Sequence, residues 1–285
     1  MARAVLADAA VARPPGSAST RALCGASTCL LSCLLASPSA AGALLLPESE
    51  GQAIVTTTFA DATKAYDSSG RTINAPPYNK FELRTYIEYG LTNEFTVVGE
   101  AGVTDFRSTY QDFPGAPPTV SQYRGIGVSA LGGRVPLGAL GDALFSLEAS
   151  ARAAPAEAAP YSDIRSRAQA DVRLQMFKPL ELWELPAFLD MQTGFRSSGQ
   201  LGQEARVDVT LGLHARPDLM FLAQSFSVIS PRTSGRSVAY AQKLELSAVY
   251  DFAPKFSLQF GVFGAPVGWN GPAERGAATA LWWRF

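Results

Sequence analysis

The chain closes on Arg275-Gly276-Ala277-Ala278-Thr279-Ala280-Leu281-Trp282-Trp283-Arg284-Phe285, which alternates like a β-strand and stops on an aromatic residue. A soluble domain gains nothing from Trp282, Trp283 and Phe285 at a free end. The closing strand of a membrane barrel needs aromatic rings where the hydrocarbon meets the headgroups. The segment therefore points to a protein that crosses a membrane with strands.

The opposite end agrees. Arg21 precedes an uncharged run from Leu23 to Ala36, followed by Ser37-Pro38-Ser39-Ala40-Ala41-Gly42-Ala43. A positive flank, a short apolar run and small residues make the layout of a secretory signal, and the run is too short to span a bilayer. Cleavage is expected after Ala43, with Ala41 as the second choice, giving a leader over 1–43 and a barrel over 44–285. The residues ahead of Arg21 make a long leader, so a start downstream of Met1 is one reading. Leu30-Leu31-Ser32-Cys33 offers a rival lipoprotein site, although a barrel needs no lipid anchor.

Cys24, Cys29 and Cys33 all fall within that leader. The exported chain then has no thiol, which rules out a disulfide framework and a thiolate metal site. With 47% apolar and 17% charged residues and a formal charge of -1, the chain is neither disordered nor a nucleic-acid binder. No apolar run after the leader is long enough for a membrane helix, so any span must be made of strands.

Period-two alternation gives about twelve segments of roughly ten residues, the length at which a tilted strand crosses a bilayer. They fall near 51–62, 79–90, 95–106, 122–135, 143–154, 165–177, 187–197, 203–215, 219–230, 238–251, 255–265 and 275–285. Connections alternate short and long: 91–94, 136–142, 178–186, 216–218 and 252–254 are short, as expected of periplasmic turns. Two strands show the pattern most clearly. From Arg165 one face carries Arg165, Arg167, Gln169, Asp171, Arg173 and Gln175, and the other Ala168, Ala170, Val172, Leu174 and Met176. From Glu204 one face carries Glu204, Arg206, Asp208 and Thr210. A soluble sandwich shares this period, and it is the aromatic end, the leader and the strand lengths that put the charges inside.

The fold expected is thus all-β: a closed, antiparallel, up-and-down transmembrane β-barrel of about twelve strands behind a cleaved signal peptide, in the outer membrane of a Gram-negative cell. Its interior charges are expected to be Glu82, Arg84, Glu88, Glu100, Arg124, Glu148, Arg152, Arg165, Arg167, Asp171, Arg173, Asp190, Arg196, Glu204, Arg206, Asp208, Lys243 and Glu245. Of these, Arg84, Glu88, Glu100, Glu148, Arg167, Asp171, Arg173, Glu204, Arg206, Asp208, Lys243 and Glu245 are the lumen-lining candidates. Both signs are interspersed, so no strong ion preference is expected. They either tune a pore for small polar or amphipathic solutes or pair and fill a closed structural or adhesive barrel with partner-binding loops. Tyr86, Tyr89, Phe95, Trp183, Phe188, Tyr250, Phe252, Phe256, Trp269, Trp282 and Trp283 are expected at the membrane interfaces.

Catalysis is the weakest alternative. His214 is the only histidine, so an outer-membrane hydrolase built on a Ser-His or Asp-His pair has to use it. It lies at the end of the eighth segment, beside Arg216-Pro217-Asp218, at the periplasmic mouth. One histidine and no mature cysteine also exclude the usual zinc and iron sites. No enzyme activity and no cofactor are expected.

At Tyr89-Gly90-Leu91-Thr92-Asn93-Glu94-Phe95-Thr96-Val97 the chain resembles the strand-turn-strand phrase of Gram-negative outer-membrane barrels. Together with Glu50-Gly51 and the final Phe285, it is similar to the transporter barrels of the phenol-degradation MetA-pathway type. The resemblance implies a transport role and carries over no catalytic residues. The partners expected are membrane lipids and lipopolysaccharide, the outer-membrane assembly machinery through the C-terminal strand, and a small-molecule solute.

Overall fold

The computed structural model describes residues 43–111, 117–155, 168–197, 203–231 and 238–285. Apart from Ala43, the expected leader lies outside them, as do Arg165 and Arg167.

Alternating sequences produce strands, and neighbours in the chain pair antiparallel. The strands are β1 (Gly51–Tyr66), β2 (Thr72–Thr92), β3 (Phe95–Tyr110), β4 (Thr119–Leu140), β5 (Ala143–Ala153), β6 (Ala168–Leu182) and β7 (Leu185–Ser197). They continue as β8 (Gln203–Arg216), β9 (Leu219–Ser230), β10 (Ala239–Ala253), β11 (Phe256–Trp269), the two-residue β12 (Gly271–Pro272) and β13 (Arg275–Arg284). Each barrel strand pairs with the next, and β1 pairs both with β2 and with β13, from Gln52↔Arg284 to Asp61↔Arg275. Closure is completed by the N–H of Gly51 on the carbonyl of Phe285 at 2.8 Å and its reciprocal at 2.9 Å. Among the described residues the sheet closes on itself through β1, which is what hydrocarbon demands of a sheet.

The strands outrun the expected segments. β2 extends over 72–92 and β4 over 119–140, and the short connections contract to tight turns. The span 178–186, expected as a connection, is mostly strand, with a turn only at Trp183 and Glu184, both at positive φ (52° and 64°). That is the primed turn geometry that matches strand twist. Pro136 does not end β4, because it sits at a register shift between Pro136 and Gly138, where a missing ladder donor is tolerated.

Burial is inverted relative to a soluble protein. The largest fully buried side chains include Arg134, Arg196, Gln175 and Glu88, whereas Leu131 and Leu246 are 67% and 65% exposed. Apolar residues such as Val55, Phe59, Val172, Leu174, Phe260 and Val262 form the outer wall. From Gly51 to Asp61 a strand tilted near 40° rises about 25 Å, the height of an outer-membrane apolar band. Twelve such strands enclose a backbone cylinder about 24 Å across.

Two expectations about facing are corrected. Arg124 points outward, 82% exposed and 3.5 Å from Asp105, because a bulge intervenes. Ala101 pairs with Ser129 but Val103 pairs with Ile126, so three steps on β4 match two on β3 and every later side chain changes face. Phe188, Trp282 and Tyr86 are not interfacial: Phe188 and Trp282 belong to a buried apolar cluster and Tyr86 packs against it. Trp183, Tyr250, Phe252, Phe256, Trp269, Trp283 and Tyr89 remain exposed.

Candidate functional site: the barrel interior

The interior is layered. Near the end with tight turns, which outer-membrane barrels direct to the periplasm, Ile54, Phe177, Phe188, Met220, Leu222, Val249, Ala280 and Trp282 form an apolar floor. Phe177 and Phe188 stack with centroids 5.5 Å apart. Gly212 is what lets Phe188 lie flat, since a Cβ there would meet its ring at 2.1 Å.

The segment ahead of β1 enters this floor. The Ser49 N–H donates to the Gly90 carbonyl at 2.8 Å, and the Glu48 N–H to Asn93 Oδ1 at 3.1 Å. Further in, the Leu46 N–H donates to Thr96 Oγ1 at 3.1 Å, Arg134 Nη1 donates to the Leu44 carbonyl at 3.1 Å, and the Ala43 N–H reaches Asp190 Oδ2 at 3.3 Å. Ala43 is buried within the apolar cluster and Leu44 packs against it. Gly90 permits the entry, because any Cβ there would lie 2.0 Å from the Pro47 carbonyl oxygen.

Above the floor lies a charged band. Arg134 Nη2 is 2.7 Å from Glu88 Oε1 and 2.8 Å from Glu148 Oε2. Tyr86 Oη donates to Glu88 at 2.7 Å, Gln175 Nε2 to Glu148 at 3.0 Å, and Ser146 Oγ to Gln175 Oε1 at 3.1 Å. Strands β2, β4 and β5 are thereby tied through one guanidinium, and β6 joins them through Gln175 on Glu148. Farther from the floor, Asp171 takes Arg196 at 2.7 Å and Arg173 at 3.1 Å, and Arg173 also approaches Asp208 at 3.5 Å. Glu204 binds Arg206 at 3.4 Å, and Glu100 bridges Arg84 at 3.4 Å and Arg152 at 3.0 Å. On the opposite arc Glu274 joins Lys243 at 2.9 Å and Lys80 at 3.2 Å, and Lys243 stands 4.5 Å from the centre of the Phe263 ring.

Of the lumen-lining candidates, Glu88 and Glu148 meet through Arg134; Asp171, Arg173 and Asp208 form one group; Glu204 pairs with Arg206; and Arg84 pairs with Glu100. Lys243 lies apart with Glu274, and the Glu245 carboxylate lies beside Gly261. Arg167 falls outside the described residues. Sequence reasoning missed Arg134, Lys80 and Glu274. Arg134 follows Gly132-Gly133 with no charged residue two positions away on β4, so no charged row announces it. Glu274 falls between the expected segments and lies inside because the ladder runs past Arg275: the Ala265 N–H donates to the Glu274 carbonyl at 2.7 Å, and alternation with the outward Arg275 turns Glu274 inward.

His214 packs beside Phe188, with ring centroids 6.5 Å apart, and among the described residues makes no hydrogen bond. Asp251, the carboxylate whose charge acts on it, instead accepts from Ser257 Oγ and from Arg284 Nη2, the latter at 3.2 Å. Outside the spanning segments, Asp67 accepts N–H bonds from Arg71 at 2.9 Å and Ser69 at 2.8 Å, and these hold its carboxyl below the ordinary value.

A closed cylinder with an apolar outer wall, an exposed aromatic set and an ionised interior defines an outer-membrane β-barrel. The chain is similar in structure to the COG4313 outer membrane channel from Pseudomonas putida F1, with TM-score 0.59 and 14% identity over 87% of this chain and 99% of that one. The NanC porin aligns with TM-score 0.47 and 8% identity over 80% of this chain and 97% of that one. The translocator domain of autotransporter NalP from Neisseria meningitidis aligns with TM-score 0.45 and 9% identity over 84% and 90%. No family model and no curated protein matches the chain. The likeness is one of fold.

Proposed function

We propose that this barrel is a passive channel, or uptake pore, for small polar or amphipathic solutes. One observation carries the reading: inward side chains within a closed wall keep accessible surface. Lys243 and Arg84 are 33% and 30% exposed, and Arg173, Arg206 and Asp208 retain 19%, 17% and 16%. Because these groups face inward, their exposure is to lumen water. The channel character of the P. putida protein supports the reading. In it Arg84, Glu88, Glu100, Glu148, Asp171, Arg173, Glu204, Arg206, Asp208, Lys243 and Glu245 tune passage, and the mixed signs favour neither anions nor cations strongly. The wall meets membrane lipids and lipopolysaccharide, and the C-terminal strand is what the outer-membrane assembly machinery reads.

A second reading, a closed structural barrel, has its own support in the segment 43–46, which enters the apolar floor with Ala43 buried. Planar-bilayer recording of the refolded protein separates the two. The channel reading expects small, salt-dependent unitary currents with a reversal potential near zero in a potassium chloride gradient. Pure protein that inserts and never conducts removes it.

A further inference from the structure

One arc of the outer wall carries charge where the rest does not. Strands β13, β1, β2, β3 and β4 follow one another around the barrel, and across them Arg275 lies opposite Asp61, Asp61 opposite Asn79, and Asn79 opposite Arg107. Two residues nearer the tight turns, Asp105 lies opposite Arg124. Arg124 and Arg275 are 82% and 73% exposed, and Arg107 is exposed. Phe59, Phe81, Val103 and Ile126 stand exposed just beneath, on the same face of these strands. At similar distances from the tight turns, the other side of the barrel exposes Phe195, Val207, Ile229 and Leu244. A tilted strand reaching Asp61 or Arg275 has risen about 25 Å, so the charges sit where the apolar band ends on the side away from the periplasm.

We propose that this arc binds the phosphorylated headgroup of lipid A, the glycolipid of the outer leaflet, with its acyl chains against Phe59, Phe81 and Ile126. The ion pairs leave the guanidinium forks able to do so. Arg275 Nε lies 3.2 Å from Asp61 Oδ2 and Arg124 Nε 3.5 Å from Asp105 Oδ2. Among the described residues, the Nη1 and Nη2 atoms of both arginines make no hydrogen bond, and that edge matches two oxygens of one phosphate. Exposed pairs of this kind contribute little to stability, so holding the forks in place is the larger consequence of Asp61 and Asp105. Arg107 adds a cation whose cross-strand neighbours, Asn79 and Gln122, are neutral. With Arg107, Arg124 and Arg275 set against Asp61 and Asp105, the patch is net positive, as an anionic headgroup requires. The inference rests on the lipopolysaccharide contact proposed for the wall, to which it gives a place, and not on conductance.

The test uses the folded barrel, purified from outer membranes in dodecyl maltoside, delipidated, and titrated with lipid A carrying both phosphates; binding is read by native mass spectrometry. R107Q is expected to raise the apparent Kd about fivefold, and R107Q/R124Q/R275Q about thirtyfold. K255Q, at a tight turn on the periplasmic side, is expected to bind as wild type does. Where the triple variant does not fold, R107Q is titrated with dephosphorylated lipid A, against which it is expected to match wild type because the contact it lacks is gone from both. Phosphatidylglycerol is expected not to displace lipid A. Wild type that takes up no lipid A removes the wall contact and the site together. Wild type that binds while the arginine variants bind equally well, or while K255Q weakens as much as R107Q, keeps the contact and overturns the site. Equal displacement by phosphatidylglycerol overturns the choice of the glycolipid.

Discussion

The two ends of the lumen are built on different principles. Toward the tight turns, Phe177, Phe188, Met220 and Trp282 pack with Ala43 and Leu44 in one apolar cluster. Beyond Arg134 the wall is lined by interleaved acids and bases that keep part of their surface in water. Apolar contact across the interior is therefore local to the inserted segment and the floor beneath it. Arg134 stands at the boundary, holding both Glu88 and Glu148 and the Leu44 carbonyl.

The boundary can be broken directly. Arg134→Met strands two buried carboxylates, and losing one partner of a buried ion pair costs about 3–5 kcal/mol. Urea unfolding followed by the gel shift between boiled and unboiled protein should register that loss; a midpoint equal to wild type would show that the two acids find other compensation. The next effect distinguishes wall from lumen. Leu246→Arg, in the middle of β10 on the outer face, is expected to cost about 2–4 kcal/mol. Glu245→Gln, one residue away and inward, is expected to cost about 0.5 kcal/mol or less by the same assay. Equal penalties would mean that the two faces are wrongly assigned.

Much of this difference is legible in the amino-acid order, and its limits have physical causes. Strands β6 and β8 declare both faces, because charged and apolar residues alternate through Asp171–Met176 and Glu204–Thr210 without interruption. The closing of β13 on β1 follows from an aromatic end that needs an interface. Arg124 was misassigned because alternation counts residues and a bulge adds one; Gly125-Ile126-Gly127 marks the place of a bend but not its parity. Phe188 and Trp282 read as interfacial from their nearness to strand ends, yet position along a strand does not fix the face. Their inward direction follows from alternation with Asp190, two residues after Phe188, and with Ala280, two residues before Trp282. The inserted segment was invisible because 43–50 has no period, and its path depends on Gly90 having no side chain.

That dependence gives a subtler way to sharpen the comparison. Gly90→Ala places a methyl group on the Pro47 carbonyl and displaces the segment without touching a charge. If the segment closes the passage, unitary conductance in planar bilayers rises while the reversal potential stays the same. If the apolar floor closes it unaided, the current is unchanged.

The smallest expected effect lies outside the membrane, in the turn between β1 and β2. The N–H groups of Arg71 and Ser69 hold the Asp67 carboxylate and keep its folded value below the ordinary 3.8. A depressed value means that the turn's contribution is complete above 3.8 and is lost as pH falls through the lower, folded value. Amide exchange at Ser69 and Arg71 should therefore quicken only in strong acid, beyond the intrinsic pH trend, and Asp67→Asn should abolish that step. The carboxylate's hydrogen bonds stay within its own turn, so neither change should move the unfolding midpoint. A shift in the midpoint would mean that the long β1–β2 hairpin stabilises the closed end of the barrel from a distance, and that the two halves of the lumen are mechanically coupled through the strands joining them.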